Sequence, residues 1–308
     1  QRSAWSSIRS RPEVAKSLHL RYLRLPSALG AYPRVLLTKR PPIEQVQDPP
    51  EITATVENVV VSKSNVDRYL EVCGFGADSS VPIAYPHVIA MPLHLKIMGT
   101  RDFQLRPGGL IHLSNEIESL TEILPGAKLD VAVTACNYRP MYAGLAFDMA
   151  TEIQQSGTPV WRETCVFVWP WPDPATQSTG RPPRPPRAPK TSEILLEKLD
   201  VSMRTAWDYA LVSSDYNPIH LEHRAARLFG LKGAIVHGMW TFARSLAEAP
   251  APEIPPGTRL QTQWLTPVQM PAQVSIKQWS TEGEVHRALC DAKKGRVHMY
   301  THWAANTH

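Results

Sequence analysis

A stretch rich in proline and arginine, "PDPATQSTGRPPRPPRAPK" from Pro172 to Lys190, divides the chain and constrains what it can fold into. Fixed proline φ angles, small polar residues and solvated arginines leave nothing to bury, so the stretch reads as a stiff, extended linker. The pieces on either side, 51–171 and 191–308, are written in the same pattern. "VSKSNVDRYLEVCGF" from Val61 lies over "VSMRTAWDYALVSSD" from Val201 at an offset of 140 positions, matching Val, Ser, Tyr and Val. Val66, Tyr69, Leu70 and Cys73 in one piece, and Ala206, Tyr209, Ala210 and Ser213 in the other, fall at i, i+3, i+4 and i+7. Each series predicts a short amphipathic helix.

A second helix follows in each piece. "AIVHGMWTFARSLAEA", residues 234–249, is apolar nearly all round and so must be buried on most sides. "YPHVIAMPLHLKIM", from Tyr85 to Met98, takes the corresponding place, with His87 opposite His237. Alternating segments come next: Leu110 to Ile117, Lys128 to Asn137, Leu145 to Gln154 and Val160 to Trp169, then Gln261 to Thr266, Ala272 to Ser280, Glu284 to Ala292 and Val297 to Trp303. The turns "QQSGTP", "STEGE" and "AKKGR" join them as hairpins. "SLTEILPGAKLDV" from Ser119 also resembles "WLTPVQMPAQVSI" from Trp264. The expected architecture is α+β: one unit made twice, each a buried helix wrapped by an antiparallel sheet.

Composition excludes several classes. The chain has 308 residues, 43% of them apolar, and no run of eighteen apolar residues, so no membrane span is expected. No secretory signal is visible at its start, and a cytoplasmic location is expected. Residues 1–40 hold nine Lys or Arg against the single acid Glu13, so 1–50 reads as a basic leader on the first unit, with organellar targeting as the lesser reading. No recognition-helix, zinc or RNA-binding signature accompanies this charge, so no nucleic-acid partner is expected. Cys73, Cys136, Cys165 and Cys290 are dispersed, which predicts reduced thiols, neither a disulfide framework nor a metal site. Without a G-x-G-x-x-G or Walker sequence, no nucleotide or redox cofactor is expected.

One motif carries chemistry. "DYNPIH", from Asp215 to His220, is followed by "AARLFGLKGAIVHGM". Together these resemble the D-x-N-P-x-H…A-x-x-x-G…H-G-M signature of the MaoC-like (R)-specific enoyl-thioester hydratases and (3R)-hydroxyacyl-thioester dehydratases. The resemblance implies a double hotdog fold, one repeat keeping the catalytic loop and the other supplying a binding wall. It also implies reversible hydration of trans-2-enoyl thioesters to (3R)-3-hydroxyacyl thioesters, carried on CoA or acyl carrier protein, without metal or redox cofactor.

That reaction needs a base for water, an acid for the α-carbon and donors for the thioester oxygen. Asp215 and His220 supply the first two in either assignment, and Pro218 stiffens the chain between them. Such groups contribute roughly 10²- to 10⁴-fold each. Asn217 holds the loop or the water. Gly238, at the head of the buried helix, is the candidate oxyanion donor, because helix-terminal N–H groups lack intrahelical partners. His237 orients the helix entry, and His223 is expected to be a solvated helix residue.

Two positions depart from the family pattern. Ser214 stands where glycine usually precedes the catalytic acid, and Leu246, beside Ser245, where a helix serine is often found. In the first unit Phe75 matches Asp215 and the loop is missing, so one active site per chain is expected. The apolar residues Phe75, Ile83, Tyr85, Val88, Ile89, Met91 and Leu93 are expected to accommodate an acyl chain, and His94 and His112 to be packing or surface groups. A hotdog acyl-thioesterase and a non-catalytic acyl-binding module are the alternatives. Whether two chains pair through their sheets as a homodimer is left open.

Overall fold

The computed structural model of the chain describes residues 17–46, 48–77, 80–171, 185–186, 188–189, 193–247, 254–281 and 283–304. Most of the proline-arginine linker lies outside these residues. The first half contains β1 (Ser17–Tyr22), α1 (Tyr32–Leu37), β2 (Glu51–Val60), α2 (Lys63–Cys73), α3 (Tyr85–Met98), β3 (Ile111–Ser119), β4 (Lys128–Met141), β5 (Gly144–Gln155) and β6 (Thr158–Pro170). The second contains β7 (Ile194–Val201), α4 (Met203–Ser213), α5 (Pro218–Leu221), α6 (His223–Leu228), α7 (Gly238–Ala247), β8 (Arg259–Trp264), β9 (Ala272–Thr281), β10 (Glu284–Asp291) and β11 (Val297–Ala304).

All eleven strands form one sheet in the order β1-β2-β4-β5-β6-β3-β8-β11-β10-β9-β7. Without β1, the left part reads β2-β4-β5-β6-β3 and the right part, from its far edge inward, β7-β9-β10-β11-β8. The connectivity is therefore the same twice, and the chain is a double hotdog. The halves join where β3 runs antiparallel to β8, from Ser114 opposite Gln263 to Glu118 opposite Arg259. Arg259 reaches Glu118 at 3.3 Å across this seam, and Gln261 donates to Glu116 at 3.0 Å.

Local chemistry sets the element ends. The Ser62 hydroxyl accepts from Asn65 N–H to start α2, and Gly74 closes it in the left-handed region at φ +79°. Ser202 and Thr205 form a reciprocal capping box on α4. The apolar faces of α2 and α4 then meet. Tyr69 and Tyr209, 140 positions apart, are both buried with ring centroids 6.2 Å apart. Ser156 and Gly157 both take positive φ, as a two-residue hairpin turn requires, between β5 and β6.

The structure departs from expectation in three places. Residues 234–237 are extended instead of helical, held by Ile235 N–H to Ile219 O and Val236 N–H to Val268 O, so the buried helix starts at Gly238. The helix expected after His220 is broken at Glu222 (φ −149°, ψ 126°) into α5 and α6. Residues 17–46, which charge marked as a leader, are built into the first half. There β1 pairs in parallel with β2, Ala31, Tyr32 and Val35 are buried, and the Arg40 guanidinium donates to the Met98 and Thr100 carbonyls at the end of α3.

Candidate active site

The loop after α4 is shaped by its own side chains. Ser214 sits at φ +60°, left-handed backbone that favours glycine, and this is the position at which the family resemblance expects glycine. Asp215 N–H donates to the Ser213 hydroxyl at 3.2 Å, and Asp215 Oδ1 accepts from Asn217 N–H at 3.1 Å, closing an Asx turn. The Asn217 side-chain oxygen accepts from Ile219 N–H at 3.4 Å, capping α5, whose first residue is Pro218. Asn217 is thus engaged in holding the loop.

This places His220 on the buried side of α5, where its Nδ1–H donates to the Ile235 carbonyl at 2.8 Å. A carbonyl only accepts, so Nδ1 carries the proton and Nε2 presents a lone pair when the ring is neutral. His220 Nε2 lies 3.9 Å from Asp215 Oδ2. That gap is too wide for a direct hydrogen bond. His237 Nε2–H donates to the Asp215 carbonyl at 3.0 Å, and its ring lies 3.9 Å, centroid to centroid, from that of His220. The structure therefore brings Asp215, Asn217, Pro218, His220, His237 and Gly238 together.

Burial lowers the pKa of His220 more than Asp215 raises it, so the ring stays neutral and the 3.9 Å contact is not an ion pair. Burial, reinforced by His220, takes His237 to about 3. For Asp215 burial works against ionisation, but the two imidazoles, Asn217 N–H and the Tyr32 hydroxyl outweigh it and hold the carboxyl below its ordinary value.

Gly238 begins α7, and its carbonyl accepts from the Trp264 indole N–H at 3.0 Å. A Cβ there would lie 3.1 Å from the Trp264 ring. A side chain there would have to push the indole packed against the helix entry back by a few tenths of an ångström.

Two residues near this loop escaped the sequence reading. Tyr32, 183 positions before Asp215, donates its hydroxyl to Asp215 Oδ1 at 3.0 Å. No local pattern signals a contact across such a separation. His223 is half-buried, not a free surface group: its Nδ1 accepts from Ala234 N–H at 3.1 Å, tying α6 to the extended stretch before α7.

The pair opens on a cavity of about 470 Å³ that reaches into the first half. Its lining includes Tyr32, Asp215, His220 and Gly238 and, on α3, His87, Met91, His94, Leu95 and Met98. Of the seven apolar residues expected to line it, only Met91 does. Because α3 is apolar on every side, its pattern did not reveal which face looks inward. Tyr85, for example, packs edge-on against Tyr69 at 5.1 Å. His94, buried, and His112, partly buried, both belong to the cavity wall. Among the described residues, two side-chain groups bring ligand-type atoms within 4.8 Å of one another, Asp215 with His220 and His237, and His87 with Glu163 and Cys165. His220 Nδ1 and His237 Nε2 are committed to carbonyls, and His87 Nδ1 to Glu163 at 2.9 Å.

Residues 176–299 match the family described as "MaoC like domain". The C-terminal half is thus similar to the MaoC-like domains. Over 274 residues the chain is 28% identical to 3-hydroxyacyl-thioester dehydratase X of Mycobacterium tuberculosis, spanning 89% of this chain and 96% of that protein. The crystal structure of that protein, HtdX, superimposes with a TM-score of 0.70, covering 82% of this chain and 100% of the other. A MaoC-like dehydratase from Phytophthora capsici, 16% identical, has a TM-score of 0.64 and covers 86% of this chain and 98% of its own. A double-hotdog protein from M. tuberculosis, 11% identical, gives 0.51 over 80% and 93%. These last two speak for the fold alone. The MaoC-like half carries the Asp215–His220 loop, and the other half supplies α3 to the cavity.

Proposed function

We propose that the protein reversibly hydrates trans-2-enoyl thioesters, on CoA or acyl carrier protein, to (3R)-3-hydroxyacyl thioesters. The observation that carries this is the pairing of Asp215 Oδ2 with the lone-pair nitrogen Nε2 of His220, 3.9 Å apart at the head of α7 and open to a largely apolar cavity. A gap of that size suits one water held by both atoms. Neutral His220 is the stronger base of the two, since the ordinary pKa is about 6.5 for histidine and about 3.9 for aspartate. Its Nε2 takes a proton from water as the oxygen bonds to C3. The electron pair of the C=C bond moves onto the thioester, whose oxygen faces the Gly238 N–H, and the imidazolium returns the proton to C2. Asp215 orients the water and balances the transient imidazolium. One proton leaves the water and one reaches carbon, so no other reactant is needed.

Tyr32 and Asn217 N–H both donate to Asp215 Oδ1, which leaves Oδ2 as the atom turned to water. Tyr32 thus acts as a positioning residue on this reading. To test the function, purified full-length chain is incubated with crotonyl-CoA and a longer trans-2-enoyl-CoA, following loss of the enoyl-thioester absorbance and resolving product chirality. Formation of the (3R)-hydroxy product is expected. Release of free thiol in place of hydration would overturn the proposal in favour of thioester hydrolysis.

A further inference from the structure

One charged pair in the cavity wall has no part in the chemistry described so far. His87, in the first turn of α3, donates from Nδ1 to the carboxylate of Glu163 on β6, 2.9 Å from each oxygen. The Glu163 side chain is fully buried and also accepts from Asn115 Nδ2, on β3, at 2.6 Å. Ion pairs buried in this way lose much of their Coulombic gain to desolvation, and apolar side chains of similar volume often serve stability as well. Along the same wall α3 does use apolar side chains, at Met91, Leu95 and Met98. Stability alone therefore does not account for the pair.

The ring has a direction. With Nδ1 turned to Glu163, Nε2 lies on the opposite edge, and the side chain keeps 9% exposure where it lines the cavity. Among the described residues Nε2 has no hydrogen-bond partner, and it is not one of the atoms sealed below the surface, as His94 Nδ1 and His112 Nε2 are. Burial opposes charge on both groups of the pair. Glu163 nevertheless raises the pKa of His87, and His87 holds Glu163 at about 2, so the charged form is favoured. The pair is thus a dipole, its negative end buried behind the ring and its positive end toward the cavity. That end belongs with the reacting groups. Asn115 Nδ2, which holds Glu163, is 3.5 Å from the sulfur of Met239, the residue after Gly238. Asp215 is near enough to add to the charges that raise His87.

We infer that His87, backed by Glu163, turns a fixed positive charge into this cavity that stabilises the negative charge taken up by the thioester oxygen during hydration. This rests on the hydration reading above and gives the first half an electrostatic part in it. Little water screens charges in such a site, so the effect requires no direct contact with the oxygen.

The test uses acetoacetyl-CoA, which has no C=C bond to hydrate and ionises at C2 to an enolate whose charge is shared by the thioester oxygen. The full chain is titrated with it at one neutral pH, and the enolate absorbance of the bound ligand is read. The enolate-to-keto ratio is expected to be about tenfold or more higher on the protein than in solution. Glu163→Gln keeps the shape of the side chain and removes the charge behind His87, and the double variant His87→Gln/Glu163→Gln leaves no unpaired buried charge. In both, that ratio and the kcat for a trans-2-enoyl-CoA should fall about tenfold with KM little changed. A purely structural role would lower the unfolding midpoint without moving the ratio. Folded variants with unchanged ratio and kcat would overturn the inference and leave the hydration reading standing, since Asp215 and His220 are intact in each. Where neither variant folds, the unaltered protein decides: enolate no more abundant on the protein than in solution overturns the inference. No hydration of any enoyl thioester by the unaltered protein would remove the reading and the inference together.

Discussion

On the proposed reading, Asp215 and His220 would serve the chemistry through small, nameable constraints. A carboxylate with two donors on Oδ1 has one oxygen left for water, and an imidazole tied at Nδ1 has one nitrogen left for a proton. Replacing Tyr32 by Phe keeps the ring in the cavity wall and removes one of those donors. A hydrogen bond to a charged group is worth about 1.5–3 kcal/mol, so kcat should fall roughly tenfold or more with KM little changed, as steady-state hydration kinetics will show. The pH profile of kcat/KM tests the protonation states. On the proposed reading His220 must be neutral to act, and its pKa is lowered by burial, so activity should persist down through pH 6.5 and fall only as the pH drops through the depressed value. Asp215, also lowered, remains ionised throughout that fall. A limb centred above pH 7 would contradict this assignment. The Asp215–His220 pair was legible in the sequence because a five-residue spacing around Pro218 encodes it locally. Tyr32 was not, because its contact exists only after residues 17–46 fold back on the opposite half.

Among the elements, α7 and α3 divide the work. On the proposed reading the head of α7 would offer the Gly238 N–H to a thioester oxygen, and Trp264 crowds that position, its indole lying 3.1 Å from where a Cβ would stand. Gly238→Ala should therefore displace the indole or the helix entry and lower kcat by at least tenfold, since loss of one oxyanion donor costs on the order of 10²- to 10³-fold. The variant's unfolding midpoint, measured in parallel, separates this from a general loss of fold. The strands and the amphipathic helices α2 and α4 were legible because period-2 and period-3.6 patterns have one apolar face. The cavity face of α3 was not, because a helix apolar on all sides has no face to announce. The grouping of His87, Glu163 and Asn115 comes from α3, β6 and β3, a convergence set by sheet register and invisible to local spacing.

On the scale of the whole molecule, duplication made one continuous sheet and, on the proposed reading, one working site. The halves share strand order and the α2–α4 contact, yet among the described residues between α2 and α3 there is no counterpart of α5 and α6, and Phe75 stands where Asp215 would be expected from the 140-residue offset. A non-reacting acyl-CoA should accordingly titrate to one equivalent per chain by calorimetry, and two equal sites would refute the asymmetry. The offset of 140 was enough to read the duplication from sequence, since it relates Tyr69 to Tyr209 in the folded core, and the double hotdog followed from the resemblance carried by the Asp215–His220 motif. How the first half would be used was less legible, because loss of a loop tells nothing of what the remaining wall recognises. The most direct test of the central claim is turnover of a trans-2-enoyl-CoA by the unaltered protein, by Asp215→Asn and by His220→Ala, each shown to be folded. The account predicts (3R)-hydroxyacyl-CoA from the first and a loss of roughly 10²- to 10⁴-fold in kcat from each variant. Near-normal rates in both variants would show that the chemistry lies elsewhere.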